Sequence, residues 1–144
     1  MEKMKECDFN DPASVVEAYI VSMNRWEIES WKAMRSVKES DDPSSYQDEV
    51  KRKEKEIFEY FCTKKERKYG RQGSFQKPPE YDPESEKILS TTIVEDRKAA
   101  IVETERDSVL GGGTYRYKLY RREGKWLIDN LKHEYEGKWE EKIL

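Results

Sequence analysis

Between Gly113 and Tyr135 the chain reads Thr-Tyr-Arg-Tyr-Lys-Leu-Tyr, then Arg-Arg-Glu-Gly, then Lys-Trp-Leu-Ile-Asp-Asn-Leu-Lys-His-Glu-Tyr. Two runs rich in aromatic and branched residues flank a short charged turn ending in Gly124, the signature of a β-hairpin. The N-terminal half is helix-led, so the hairpin closes a mixed arrangement of helices and strands rather than standing alone.

Upstream, Asp11-Pro12 opens a helix, because Asp can cap free backbone N–H groups and Pro at the first helical position sacrifices no hydrogen bond. Val16, Tyr19, Ile20, Met23 and Trp26 then recur at three- and four-residue steps, giving one apolar face. Trp31 and Met34 continue the pattern while Glu27 and Glu29 interrupt it, so the stretch reads as one long helix or two meeting near Glu29 or Ser30. Ser40 to Ser45 is a loop by composition, with Ser45 and Asp48 in a capping arrangement for a second helix. That helix carries Val50, Ile57, Phe58, Phe61 and Cys62 on one side, and the run Lys51 to Glu56 reads as its solvated face. Gly70, Gly73 and Pro78-Pro79 make residues 64 to 83 irregular. Ile88 to Glu95 and Lys98 to Arg106 then read as strands around a polar Asp96-Arg97 link, and Gly111 to Gly113 leads into the hairpin. The expectation is an α+β fold, helices first, then an antiparallel meander of about four strands.

At 144 residues the expectation is one domain spanning the whole chain, with residues 1–10 as a flexible N-terminal segment. Charged residues make up 41%, yet the net charge is only −3 and aromatics reach 12%, which favours a folded domain over disorder. No window approaches the run of about 20 apolar residues that spans a bilayer, and no signal-peptide core is present, so a cytoplasmic location is expected. Cys7 and Cys62 form no CxxC pair and His133 is the single histidine, which points to reduced thiols and no metal site or cofactor.

A hairpin reading Tyr-x-Leu-x-x-x-x-Gly-x-Trp-x-Ile-Asp, carried here by Tyr117, Leu119, Gly124, Trp126, Ile128 and Asp129, resembles the nuclear transport factor 2-like (cystatin-like) superfamily. The resemblance implies a cone, N-terminal helices on a curved sheet. Within it, Tyr19-Ile20, Asn24-Arg25-Trp26, the stretch Phe61 to Gly70 and Pro78-Pro79-Glu80-Tyr81-Asp82-Pro83 are similar to the immunity proteins of bacterial polymorphic toxin systems. That implies a non-catalytic protein that binds and neutralises a cognate toxin domain.

The alternative is a small-molecule-binding protein or an isomerase- or dehydratase-like enzyme using the cone pocket, lined by Tyr19, Trp31, Phe61, Tyr117 and Trp126. Such chemistry needs a carboxylate base and a buried donor; Tyr19 with Glu103 or Asp129 are the candidates, and Tyr19 reads more simply as a core aromatic. His133, among Lys132, Glu134 and Glu136, reads as a surface residue. For partner binding two surfaces are expected. One is the basic segment with Lys64, Lys65, Arg67, Lys68, Tyr69 and Arg71, where six cations from 64 to 77 oppose the single Glu66. The acidic overall balance argues there against nucleic acid. The other is the tail, where Glu134, Glu136 and Glu140 accompany Trp139, a pattern suited to a basic protein partner. No membrane partner is expected, and pairing of two copies through the outer sheet face is an arrangement the fold allows.

Overall fold

The computed structural model describes residues 6–36, 43–65, 79–94, 96–107, 112–142 and 144. Helix α1, Pro12–Ser36, runs unbroken through Glu29 and Ser30, so the long-helix reading holds. Asp11 caps it as its position demands: Oδ1 accepts from Ala13 N at 3.0 Å. Glu27, an interruption of the apolar pattern along the sequence, is fully buried on that face and accepts a hydrogen bond from Tyr81 N at 3.0 Å. Helix α2, Pro43–Phe61, begins before Ser45, which therefore lies inside the helix rather than capping it. The indole N–H of Trp26 donates to Val50 O at 2.9 Å and fastens α2 to α1.

Among the described residues five strands follow in meander order, β1 (Glu86–Val94), β2 (Ala99–Arg106), β3 (Gly113–Arg122), β4 (Lys125–Tyr135) and β5 (Lys138–Lys142), all neighbours antiparallel. The fifth strand is the addition to the expected four. It forms because Glu136 and Gly137 adopt φ of 50° and 78°, the same left-handed pair that Glu123 and Gly124 adopt at 51° and 78° between β3 and β4. Two residues with positive φ match the twist of a two-residue hairpin, and glycine takes such a conformation without steric cost.

Register decides which face each side chain meets. Tyr115, Tyr117 and Leu119 alternate inward on β3 opposite His133, Leu131 and Ile128 of β4, while Arg116, Lys118 and Tyr120 face out. The inner face packs on α1 and α2 around Val15, Val16, Tyr19, Met23, Phe61, Tyr81, Tyr117, Leu119, Ile128 and Leu131, each fully buried. Tyr19 meets Phe61, Tyr81 and Tyr117 at ring separations of 6.1, 5.3 and 6.4 Å, all edge-to-face, the geometry that aromatic quadrupoles favour. The end of α2 is strapped to the sheet: Cys62 bridges Ile128, and Thr63 N donates to Ile128 O at 2.8 Å. Part of the segment expected to be flexible is also tied down. Phe9 O accepts from Trp126 N at 2.9 Å, and the Phe9 ring meets Tyr60 edge-on at 5.4 Å.

Candidate functional site

The densest chemistry lies on the inner face, near the end of the sheet where β1 begins and β2 ends. Arg106 belongs to the same strand face as Ala100, Val102 and Thr104 and is buried with them. Its Nε donates to Glu86 Oε1 at 2.9 Å and its Nη2 to Tyr117 Oη at 3.3 Å. Tyr117 Oη in turn donates to Glu86 Oε2 at 2.8 Å, and Thr104 Oγ1 donates to the same oxygen at 2.6 Å. Glu80 Oε1 bridges Arg106 Nη1 at 3.5 Å and Lys142 Nζ at 3.4 Å, so β5 is joined to the cluster. The guanidinium lies 4.0 Å from the Tyr115 ring and 5.0 Å from the Tyr81 ring, and Tyr115 stacks on His133 at 4.4 Å with the rings 10° from parallel. His133 is thus half-buried on the inner face, not the surface residue its charged neighbours suggest.

Burial works against the charge of Arg106, but the Tyr117 oxygen and the Glu86 carboxylate more than offset it, and its pKa rises. Burial, reinforced by Glu86, pushes the Tyr117 hydroxyl well above the usual tyrosine range, Arg106 opposing, so Tyr117 stays a donor. Burial likewise raises Tyr19 well above that range, with Tyr81 next in importance. Three hydrogen bonds from the chain itself, from Thr104, Tyr117 and Arg106, hold the Glu86 carboxylate in place. The two candidate carboxylates, Glu103 and Asp129, are hydrogen-bonded as well. Glu103 faces outward and accepts from Arg116 Nε at 3.0 Å. Asp129 accepts from Thr63 Oγ1 at 2.8 Å and from Lys65 Nζ at 2.9 Å.

Of the five residues expected to line a pocket, Tyr19, Phe61, Tyr117 and Trp126 are buried among core side chains. Trp31 is half-buried farther along α1, with the Arg35 guanidinium 4.8 Å from its ring. The expected partner-binding residues separate. Lys64 and Lys65 are exposed just beyond α2, whereas Arg67, Lys68, Tyr69 and Arg71 lie outside the described residues. In the tail, Trp139 sits opposite Glu134 on the outer face, under the Arg116 guanidinium at 3.9 Å from its ring. Glu140 pairs with His133 and so belongs to the other face, and Glu136 occupies the β4–β5 turn. An outer-face row of Glu103, Arg116 and Trp139 therefore replaces the tryptophan ringed by carboxylates that the tail sequence implies. Arg106 shares its parity with Val102 and Thr104, but the sequence leaves open which face of that strand is inward, and only burial shows it to be this one.

Asp129 carries a pH prediction. Burial alone would raise its pKa, but hydrogen bonds from Lys65, Thr63 and Asn130 win and hold it below the usual carboxylate range. A carboxyl depressed in the folded state stabilises the fold above its unfolded pKa, and that contribution disappears as pH falls through the folded value. Asp129→Asn is therefore expected to reduce stability at pH 7 and to flatten the acid limb below about pH 4. Urea midpoints from pH 7 to pH 2 test this; an acid limb parallel to that of the wild type would contradict it.

A helical layer on a curved antiparallel meander, with the inner face filled by aromatics around the buried Arg106–Glu86 pair, defines a cone-shaped α+β fold. The chain belongs to the NTF2-fold immunity protein family, whose model matches residues 11–142. Toxin-neutralising immunity is accordingly its function. Among individual proteins it is similar to the immunity protein RhsIA of Dickeya dadantii (strain 3937), 33% identical over 129 residues that cover 87% of this chain and 90% of that protein. No solved structure matches it. Among the described residues no helix is long and apolar enough to cross a membrane.

Proposed function

We propose that the chain neutralises its toxin by direct, non-catalytic binding to a cognate toxin domain in the bacterial cytoplasm. The observation that carries this reading is membership of the immunity family over residues 11–142. The carboxylates support it, since Glu86 inside and Asp129 and Glu103 nearer the surface each hold a cation of the chain itself. Two outward features supply contact chemistry. Lys64 and Lys65 present cations beside β4, and Trp139 offers an aromatic surface already oriented by Arg116. Tryptophan and arginine are the residues that most often dominate interface energetics.

The test is co-expression with the C-terminal domain of the neighbouring large open reading frame. The wild-type chain is expected to copurify with that domain and suppress its toxicity. Trp139→Ala is expected to weaken the complex by about 2 kcal/mol, roughly 30-fold, without lowering thermal stability by a comparable amount. Failure of the wild type to bind or protect would refute neutralisation by binding; an unaffected Trp139→Ala would remove β5 from the interface.

A further inference from the structure

The two edges of the sheet are built differently. Edge strands expose unpaired backbone groups, and proteins ordinarily protect them with charges, prolines or brevity. Strand β5 has that protection, being short and reading Lys-Trp-Glu-Glu-Lys. Strand β1 has little of it: from Ile88 to Val94 it reads Ile-Leu-Ser-Thr-Thr-Ile-Val, with no charge and no proline, in a chain whose charged fraction is 41%. Ser90, Thr91 and Thr92 are exposed, and two of the four exposed large hydrophobics among the described residues lie on this strand, Leu89 at 51% and Ile93 at 45%. A β-branched, uncharged edge of this kind is a template for another strand.

We propose that the β1 edge pairs antiparallel with β1 of a second copy, joining two sheets across a two-fold axis at Thr91. The argument for a second copy is self-complementarity. Leu89 and Ile93 lie two positions on either side of Thr91, so the symmetric register sets Leu89 of each copy across from Ile93 of the other. Both exposed aliphatic pairs are then covered at once. Ile88 falls across from Val94, Ser90 from Thr92 and Thr91 from itself, so no like charges meet along the shared ladder. The irregularity between Ile88 and Ser90 falls at Leu89 itself, so the regular ladder about the two-fold axis runs over Ser90 to Thr92 and Leu89 meets Ile93 at its two ends. The charged β5 edge and the Trp139 surface stay free on each copy. One short strand pair buries less than the roughly 1,200 Å² of a stable interface, so dissociation in the micromolar range is expected.

Analytical ultracentrifugation over roughly 1 to 300 µM, a range bracketing that weak interface, should show the 17.2 kDa chain doubling in mass with concentration. Leu89→Lys/Ile93→Lys should be monomeric throughout with an unchanged melting temperature and circular dichroism spectrum. The register is read by oxidation in a Cys7→Ser background. Directly opposed residues place their Cα atoms about 4.5–5.5 Å apart, within disulfide reach, so Thr91→Cys should crosslink two chains and Thr92→Cys should not. A wild type that stays monomeric, a dimer that survives the double lysine variant, or preferential crosslinking at position 92 would each overturn the pairing. A monomer whose toxin binding is abolished by the lysines would assign the edge to a toxin strand instead. These measurements use the immunity protein alone for the dimer, so they stand or fall separately from neutralisation.

Discussion

Arg106→Met is expected to lower the free energy of unfolding by about 3–5 kcal/mol, the cost of leaving a buried charge without its partner. Glu86 has 5% exposure and would lose the guanidinium that lies 2.9 Å from it, keeping only the neutral donors Thr104 and Tyr117. Methionine supplies comparable length, so the loss reads as electrostatic rather than as a cavity. The corresponding single change Glu86→Gln keeps the shape and part of the hydrogen bonding but leaves the arginine only the longer 3.5 Å contact with Glu80, and should also be severe. Combining Arg106→Met with Glu86→Gln removes both charges and is expected to recover a substantial part of the loss, because the penalty of either single change is mostly the orphaned partner. Urea denaturation of the four proteins in the cycle measures the coupling. Additive losses would show that Arg106 and Glu86 act independently, against the geometry described.

Phe61→Ala is the second large effect, about 3–5 kcal/mol of stability. The ring is fully buried, meets Tyr19 at 6.1 Å and Tyr60 at 4.7 Å, and closes the last turn of α2 just before Cys62 and Thr63 bind β4. Truncation leaves a cavity that these neighbours can fill only by moving the strap on the sheet. The experiment separates two roles for the aromatic interior. A core residue lowers the denaturant midpoint strongly when truncated, whereas a residue lining an open cavity costs little and alters ligand uptake. A loss below about 1 kcal/mol, the range of residues outside a packed core, would contradict the packing described.

Much of the architecture is legible along the chain because it depends on local patterns. Val16, Tyr19, Ile20, Met23 and Trp26 announce the buried face of α1 through their spacing, and Gly124 announces the β3–β4 turn. The buried polar residues are not legible in the same way. Glu27 looks like a break in an amphipathic helix, and only Tyr81, 54 positions away, gives it a reason to be inside. Arg106 looks like the charged end of a strand until Glu86, 20 positions earlier, is seen on the adjacent strand. His133 is misread for the same reason: its sequence neighbours are charged, but register sets it against Tyr115. Even the choice of glycine at position 113 becomes intelligible only here, since a Cβ at its φ of 135° would come within 2.9 Å of His133 Nε2.

The amino-acid sequence by itself determined the helix-to-meander order, the hairpin turn and the resemblance to immunity proteins, because periodicity, capping and turn chemistry are properties of neighbouring residues. The tertiary structure decided that α1 is one helix, that the tail supplies a fifth strand, that Arg106 and Glu86 neutralise each other inside, and that Trp139 belongs to an outer-face row with Arg116. Each of these depends on residues far apart in sequence whose meeting is set by strand register and by the desolvation of what lies between helix and sheet, and neither can be read one position at a time.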